Sequence, residues 1–254
     1  MDLYRKAWST DESARRYERS RPGYAAEAVE FLQSTLGIGP GVRVLDIGAG
    51  TGKLTRQLVE TGAAVTAVEP LDEMRRHFST ILPGVPILPG TAESIPLPDH
   101  SFDIAVSGQA WHWFEPYPAA REAARVLVPR GRLALLWNEH DESIEWVREL
   151  SALRTRARLK SPSHVEGSWR RPFAEDSSWK PLEAVRFRHL HRLSLDALVE
   201  RVLSSSVFAA LPPDEQRQVD AEVRAMLDHD PATRGRQEVD LPYVTEVHWT
   251  ARLT

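Results

Sequence analysis

The segment from Val42 to Lys53 constrains the fold more than any other part of the chain. It begins with a short run of strand-forming apolar residues, typical of a strand buried in a parallel sheet. Gly48, Gly50 and Gly52 follow at alternate positions, and glycine lets the backbone turn tightly and approach a ligand closely. A helix is predicted directly afterwards, so its N-terminal amides point into the turn. A strand, a glycine turn and a helix in this order build a nucleotide-sized site at the carboxyl end of a strand.

Two phosphate-binding motifs fit this segment poorly. A P-loop requires G-x-x-x-x-G-K-[ST], but Ile47 occupies the position of the first glycine and Leu54 that of the final Ser or Thr. The dinucleotide motif G-x-G-x-x-G requires a third glycine where the chain has Lys53. Both phosphate interpretations are therefore weakened. The alternative to a ligand-binding site is that the glycine turn only connects the strand to the helix.

An acidic residue, Asp46, precedes the glycines at the end of the predicted strand. The resulting pattern, Asp-x-Gly-x-Gly-x-Gly, resembles motif I of the class I methyltransferases that use S-adenosylmethionine (SAM). SAM carries an ammonium, a sulfonium and a ribose diol but no phosphate, so carboxylates and backbone carbonyls suit it. The resemblance implies that Asp46, Gly48, Ala49 and Gly50 bind this cofactor.

A second acidic residue supports the same interpretation. Residues 63–68 are predicted to form the next strand, and Glu69 and Pro70 follow it. A carboxylate roughly twenty residues after such a turn binds ribose hydroxyls in folds of this kind. Hydrogen bonds from two hydroxyls to one carboxylate are charge-assisted and strong. Glu69 and Pro70 are therefore predicted cofactor-binding residues, with a solvated acid at a strand end as the alternative.

The segment from Gly90 to Asp99 resembles the family's G-x-A-E-x-L-P-x-x-D segment, which contacts adenine. The resemblance implies that Ala92 and Glu93 lie against the cofactor. A carboxylate accepts a hydrogen bond from the adenine amino group, and a backbone amide donates one to a ring nitrogen. A plain surface position for Glu93 is the alternative.

The N-terminal region contains a pattern of two tyrosines and an arginine around Pro22. It resembles the lid of the branch that includes methyltransferase type 11-like and trans-aconitate methyltransferase-like proteins. The resemblance implies that Arg21 pairs with a carboxylate at the cofactor, and that Tyr17 and Tyr24 cover the cofactor and bind substrate. Alternatively, Pro22 and the following glycine link two helices and the tyrosines pack on the core.

The fourth predicted strand, residues 101–107, runs into a loop rich in aromatic residues. Ligands lie beyond the carboxyl ends of such strands, so this loop is expected over the methyl group. The unperturbed pKa of a histidine suits a general base, so His112 is the predicted base, or else it only orients the loop. Gln109 is predicted to contact the cofactor. Trp111 and Trp113 are predicted to bind the substrate or the sulfonium by cation–π contact, with core packing as the alternative.

Strands and helices alternate up to Asn138, which is typical of a doubly wound α/β sheet. Two late strands, the last antiparallel, complete a mostly parallel seven-stranded, Rossmann-like sheet with a turn at 129–132 and a helical insertion after the fifth strand. The chain is interpreted as one SAM-dependent methyltransferase domain, 1–254, with lid helices in 1–40, the SAM-binding core in 41–138, and a substrate cap with the C-terminal strands in 139–254.

The predicted cap is rich in arginine and tryptophan, including Arg154, Arg158, Trp169 and Arg170. Arginine pairs with carboxylates through two parallel hydrogen bonds, and tryptophan offers a flat apolar surface. These side chains suit an acidic or aromatic small molecule. The alternative is that they only cover the sheet.

Composition narrows the function further. The chain has no cysteine, which excludes disulfides, cysteine nucleophiles and the cysteine-held cluster of radical SAM enzymes. A net charge of −4 gives no electrostatic case for nucleic acid. No metal is predicted, because the acidic run 139–142 reads as the start of a helix. The longest apolar run is too short to cross a bilayer and no signal peptide is visible, so a cytoplasmic enzyme without a membrane partner is expected.

The sequence therefore predicts a SAM-dependent methyltransferase that acts on a small molecule, as in secondary metabolism. Two alternatives remain open: other SAM chemistry in the same pocket, such as cyclisation or aminocarboxypropyl transfer, and a SAM-binding protein without catalysis. The oligomeric state does not follow from these patterns.

Overall fold

The computed structural model describes residue 8, residues 10–156 and residues 164–253, without the side chains of 154–156. By their contacts, the described residues form two compact units. The core unit lies within Gly23–Asn138, Pro162–Phe187 and Thr245–Thr254. The helical unit lies within Met1–Pro22, Glu139–Ser161 and Arg188–Val244. The predicted lid and cap segments are thus each divided between the two units.

The elements alternate as the sequence predicts. In chain order they are α1 (Asp11–Ser20), α2 (Ala26–Ser34), β1 (Arg43–Ile47), α3 (Lys53–Glu60), β2 (Ala64–Val68), α4 (Asp72–Ile81), β3 (Ile87–Leu88), β4 (Phe102–Gly108), α5 (Pro116–Val126), β5 (Leu127–His140), α6 (Glu145–Arg156), α7 (Arg171–Glu175), β6 (Glu183–Ser194), α8 (Leu195–Leu203), α9 (Ser206–Ala209), α10 (Pro213–His229) and β7 (Glu238–Ala251). Short 3₁₀ turns lie at Trp111–Trp113, His164–Glu166 and Ser168–Arg170.

Within the described residues, seven strands form one sheet in the order β3-β2-β1-β4-β5-β7-β6. The pairs β1/β2, β1/β4, β2/β3 and β4/β5 are all parallel. The sheet is mostly parallel with one antiparallel hairpin, which confirms the predicted fold class. This order places the carboxyl ends of β1, β2 and β4 side by side.

Strand β1 is buried on both faces, as its apolar run predicts. Val44 packs into one apolar cluster, whereas Leu45 and Ile47 pack into another. Successive side chains of a strand point to opposite faces, so β1 contributes to the core on both sides of the sheet. Asp46 is fully buried within the same strand.

The predicted turn at 129–132 is wrong as a boundary, because β5 runs without a break from Leu127. The register between β4 and β5 shifts between Phe102 and Ile104, which pair with Leu127 and Arg132. The additional residues of β5 bulge there, and Arg130 takes a positive φ of 66°. Turn-forming residues occur in β-bulges as well as in turns. The residues at 129–132 therefore correctly indicated an irregular backbone, but they did not mark the start of the strand.

The helical unit contains α1, α6, α8, α9 and α10 around one apolar cluster that includes Leu150, Leu198 and Val223. Helix α1 starts at a capping box in which the Thr10 side chain accepts from the backbone of Ser13. The charged pattern of residues 141–159 predicts a helix, and α6 spans Glu145–Arg156 of it. Residues 157–159 lie outside the described residues. No helix in the described part of the chain has the length and apolarity to span a membrane.

Candidate cofactor site

The glycine turn between β1 and α3 uses left-handed backbone at all three glycines. Gly48, Gly50 and Gly52 have φ values of 72°, 58° and 89°. A Cβ added to Gly48 would lie 2.8 Å from Ala110 Cβ, and one added to Gly52 would lie 2.8 Å from Leu82 Cδ1. By contrast, a Cβ at Gly50 would meet no described atom within 4 Å. Gly48 and Gly52 therefore permit packing, whereas the surface above Gly50 is accessible to a ligand.

Hydrogen bonds join this turn to the neighbouring strand ends. The backbone amides of Gly48 and Ala49 donate to the Val68 carbonyl at 2.8 and 3.2 Å. The buried Ser107 hydroxyl donates to the Ile47 carbonyl at 2.8 Å. The ends of β1, β2 and β4 are thereby fixed relative to one another.

Glu69 is fully buried at the end of β2, next to the turn. Its Oε2 accepts from the Gly50 amide and its Oε1 from the Leu71 amide, both at 3.0 Å. Arg75 Nη1 donates to the Glu69 carbonyl at 2.7 Å. These bonds fix the orientation of the carboxylate. That geometry suits two adjacent ribose hydroxyls.

Asp46 is the least satisfied polar group of the turn. Its Oδ2 accepts from the Thr55 hydroxyl at 2.6 Å. Its Oδ1 is buried and has no hydrogen-bond partner among the described residues. Burial raises the pKa of Asp46 to about 7, against the opposing effect of the Thr55 bond and with a further rise from the Glu69 charge. A buried carboxylate with one unpaired oxygen fits a ligand that brings a donor or a cation.

The segment from Gly90 to Asp99, which is predicted to contact adenine, contains one buried and one half-buried candidate residue. Ala92 is buried, and Glu93 Oε1 accepts from the Glu115 amide at 2.9 Å, just before α5. One oxygen of Glu93 therefore supports the start of that helix. Contacts of Ala92 and Glu93 with adenine stay predictions, as does the contact of Pro70 with the cofactor.

The end of β4 carries a backbone conformation that is rare for residues other than glycine. Gln109 has a φ of 58°, and its Nε2 donates to the Asn138 carbonyl at 2.8 Å. Its amide donates to the Leu136 carbonyl, also at 2.8 Å. Such conformations cost free energy and are concentrated at functional sites. The side chain of Gln109 is held against β5 at the predicted ligand edge.

His112 is held by a neighbour that the sequence did not reveal. Trp137 Nε1 donates to His112 Nδ1 at 3.0 Å. An indole nitrogen only donates, so Nδ1 carries a lone pair and the proton of the neutral ring lies on Nε2. In this tautomer of His112, Nδ1 accepts the hydrogen bond from Trp137 and Nε2 is a hydrogen-bond donor. The bond favours the alternative role for His112, an oriented side chain, over a general base.

The two predicted tryptophans of the loop differ in burial. Trp111 is fully buried and contacts Phe114 and Phe173, with ring centroids 5.6 and 6.0 Å apart. This favours core packing for Trp111. Trp113 is half-buried, and its ring lies 5.4 Å from that of His112. Of the two, Trp113 is better placed to meet a ligand.

Trp169, predicted for the cap, packs inside the core unit. Its ring lies 4.7 Å from that of Trp137, and its Nε1 donates to the His164 carbonyl at 2.8 Å. The Arg170 guanidinium lies 4.4 Å from the Trp169 ring centroid. Trp169 is therefore a core residue with Arg170 stacked on it. The Arg154 side chain and Arg158 lie outside the described residues.

The three predicted lid residues are divided between the two units. Tyr24 belongs to the core unit, where its backbone exchanges two hydrogen bonds with Gln57 at 2.8 and 2.9 Å. Its hydroxyl lies beside Gly108 at the end of β4, where a Cβ would collide with it. Tyr17 and Arg21 belong to the helical unit, and the guanidinium lies 5.0 Å from the tyrosine ring centroid.

Sequence patterns did not reveal the roles of Thr55, Trp137 and Asn138, whose side chains form hydrogen bonds around the site. Asn138 Nδ2 donates to the Gly23 carbonyl at 2.8 Å, and its Oδ1 accepts from Thr245 at 2.6 Å. These bonds fix the start of the core unit against its last strand. The only sequence signal was the position of Asn138 at the end of an apolar run. The described residues contain no cluster of three side chains that fits a metal ion.

A buried carboxylate at the end of β1, another at the end of β2 and an open glycine turn between them define a nucleoside-binding α/β protein. Residues 45–135 match the family model of the methyltransferase domain. An uncharacterized methyltransferase of Mycobacterium tuberculosis is 40% identical over 229 residues, which cover 90% of this chain and 89% of that protein. An uncharacterized methyltransferase of Schizosaccharomyces pombe is 32% identical over 234 residues, which cover 90% and 91%.

Similarity extends to solved structures. A putative type II methyltransferase from Anaeromyxobacter dehalogenans superposes with a TM-score of 0.68 at 26% identity, over 92% of this chain and 98% of that one. The chain belongs to the class I SAM-dependent methyltransferase family. It is an enzyme, and its cofactor is SAM. The predicted family, enzyme class and cofactor are confirmed.

Proposed function

We propose that this enzyme transfers the methyl group of SAM to a small-molecule acceptor, with SAM bound along the ends of β1, β2 and β4. The observation that carries the placement is the unpaired, buried Oδ1 of Asp46 beside the accessible surface of Gly50. When bound, SAM supplies an electrophilic methyl group on a sulfonium. The residues of the chain bind it, orient it and exclude water.

Each acidic residue has a distinct role in this proposal. Glu69, already oriented by two backbone amides, accepts from the ribose hydroxyls. Asp46 pairs with the ammonium of the methionine part, which removes the cost of its unpaired oxygen. Ala92 and Glu93 line the adenine ring of the cofactor. The accessible surface of Gly50, in the same turn as Gly48 and Ala49, lies along the methionine part of the cofactor.

The acceptor side of the site lies at the end of β4. Gln109, His112 and Trp113 are held there by bonds to β5 and by ring contact. His112 presents an Nε2 donor, which orients an acceptor oxygen and leaves alignment as the main source of rate. A general base at His112 is the second candidate, and it requires the bond from Trp137 to break.

A small molecule is favoured over a macromolecular acceptor because the net charge is −4 and basic residues are interspersed with acids. This charge balance argues against nucleic acid, and the proposal includes a role in small-molecule metabolism in the cytoplasm. Other SAM chemistry remains the alternative reaction, since the binding residues do not determine which carbon is transferred.

The test uses SAM with a deuterated methyl group and a desalted small-molecule extract. We expect mass spectrometry to show deuterated products in which a hydrogen of an acceptor is replaced by the methyl group. The Glu69→Ala variant, which lacks the proposed ribose ligand, is the control and is expected to give less product. Products that carry the aminocarboxypropyl part, or cyclised SAM-derived products, would contradict methyl transfer.

A further inference from the structure

The helical unit contains an arginine that is almost completely buried. Arg201, on α8, is 5% exposed, and its Nε donates to the Tyr243 hydroxyl at 2.8 Å. Tyr243, on β7, is fully buried. Among the described residues no carboxylate forms an ion pair with Arg201, and the tyrosine hydroxyl is its one side-chain hydrogen-bond partner. A buried charge without an opposite charge is costly, and an anionic ligand that pairs with it removes that cost.

Other arginines of the same unit are paired. Arg224 is about half exposed and bonds to Asp196 and Asp220 at 2.8 and 2.7 Å. Arg188, also exposed, pairs with Asp141 at 2.9 Å. Arg201 is more shielded from water than either of these two arginines, and it lacks the carboxylate that each of them has. Packing alone does not explain this, because an apolar side chain of similar volume packs without the cost of a buried charge.

Among the described residues, the surroundings of Arg201 offer hydrogen-bond donors and aromatic rings and no unpaired acid. The guanidinium lies 5.9 Å from the centroid of the Tyr243 ring. Three histidine rings, those of His140, His189 and His191, lie 5.1, 5.6 and 6.2 Å from the same ring. The nearby acid Asp141 is held by Arg188 and by the Ser143 hydroxyl. These groups favour an anion over a cation.

A second buried polar group lies one turn further along the chain. Ser205 Oγ is buried and has no hydrogen-bond partner among the described residues. Ser205 occupies the N-cap position of α9, but its side chain caps no amide. A buried hydroxyl left unpaired costs free energy in the same way. One short segment thus holds a buried arginine without a carboxylate and a buried hydroxyl without a hydrogen-bond partner.

We infer that Arg201, oriented by Tyr243, binds a carboxylate of an organic acid. The planar guanidinium donates two parallel N–H bonds to a carboxylate, a geometry that lysine lacks. His140, which contacts Tyr243, is the last residue of β5, and ligands of such sheets lie beyond the carboxyl ends of the strands.

The test compares thermal unfolding in citrate, phosphate and chloride at equal ionic strength. Citrate is expected to raise the midpoint of the wild-type protein in a saturable manner, and phosphate and chloride are not. In Arg201→Met the citrate concentration for half the effect is expected to rise at least about tenfold, because charge-assisted bonds are lost. Without citrate, Arg201→Met is expected to unfold at a higher temperature than wild type, since no unpaired charge is buried.

Controls separate this site from general salt effects and from misfolding. Arg224→Met removes an exposed, paired arginine of the same unit and is expected to keep the wild-type citrate response. Arg201→Lys keeps the charge, and Tyr243→Phe removes only the hydroxyl. Both are expected to fold and to need several-fold more citrate.

Three results would overturn the inference: an equal citrate response in Arg201→Met, a response to phosphate alone, or no response in wild type. Calorimetric titration of the same samples with S-adenosylhomocysteine measures the proposed cofactor site separately. Intact binding of that ligand without a citrate effect would remove the carboxylate site and leave the proposed function standing.

Discussion

Replacing Asp46 with asparagine is expected to make the protein more stable at pH 8 relative to wild type than it is at pH 5. Burial raises the pKa of this carboxyl from 3.8 to about 7. When folding raises the pKa of an acid, the protonated acid contributes stability to the folded state, and this contribution is complete at pH values below the pKa of the unfolded chain. That contribution is lost as the pH rises from about 4 through about 7. At pH 8 the folded protein therefore carries a buried, ionised carboxylate, whereas at pH 5 the group is neutral.

The magnitude follows from the two pKa values. Each unit corresponds to about 1.4 kcal/mol, so ionised Asp46 costs up to roughly 4 kcal/mol. About 2–3 kcal/mol of this develops between pH 5 and pH 8, where the folded state keeps a proton that the unfolded chain has released. Asparagine still accepts from Thr55 but does not titrate. Its amide, placed where Oδ1 is unpaired, costs about 1–3 kcal/mol at both pH values.

The assay is urea unfolding followed by tryptophan fluorescence at pH 5 and pH 8. The free energy of unfolding of Asp46→Asn, minus that of wild type, is expected to rise by about 2–3 kcal/mol between these pH values. Asp103→Asn is the matched control. Because Arg43 lowers the pKa of Asp103, that group is ionised at both pH values and its difference should stay constant. An equal difference at both pH values for Asp46→Asn would refute the raised pKa.

Four further predictions concern the same site. The affinity for S-adenosylhomocysteine, which carries the ammonium, should increase as the pH rises towards 7 and then level off, and Asp46→Asn should remove this dependence in calorimetry. Trp137→Phe should free His112 Nδ1, so that ¹⁵N NMR of the imidazole no longer shows a single Nε2–H tautomer; an unchanged spectrum would contradict the bond. His112→Ala should slow turnover while cofactor affinity stays nearly intact. Gly52→Ala should lower the urea midpoint more than Gly50→Ala, because of these two positions only Gly52 has atoms within 3 Å of the added Cβ. Gly50→Ala should weaken cofactor binding more than Gly52→Ala. The reverse order would contradict the assignment of the accessible surface to Gly50.

The parts of the site that follow from local chemistry were predictable from the sequence. The turn at Gly48–Gly52 and the acids Asp46 and Glu69 lie within one strand–turn–helix–strand unit, where backbone geometry depends on neighbouring residues. The start of β5 was missed because Pro129 and Gly131 signal a turn equally well when they form a bulge.

Contacts between distant residues were not predictable in this way. The bond from Trp137 to His112 joins residues on different strand ends, and it changes the chemistry assigned to the histidine. The burial of Trp111, and the pairing of Arg201 with Tyr243, likewise depend on how elements pack. A side chain's type fixes what it can do, whereas its tertiary neighbours fix which nitrogen or oxygen is available.

Titration with S-adenosylhomocysteine, comparing wild type with Glu69→Ala, tests the central placement of the cofactor most directly. Wild type is expected to bind this ligand and SAM, and to bind neither NADH nor ATP comparably. Glu69→Ala is expected to bind more weakly by about 1–3 kcal/mol, because ribose hydroxyls lose their acceptor. Glu60→Ala, an exposed acid at the end of α3, should bind as wild type does. Wild-type affinity in a folded Glu69→Ala protein would show that the ribose is bound elsewhere.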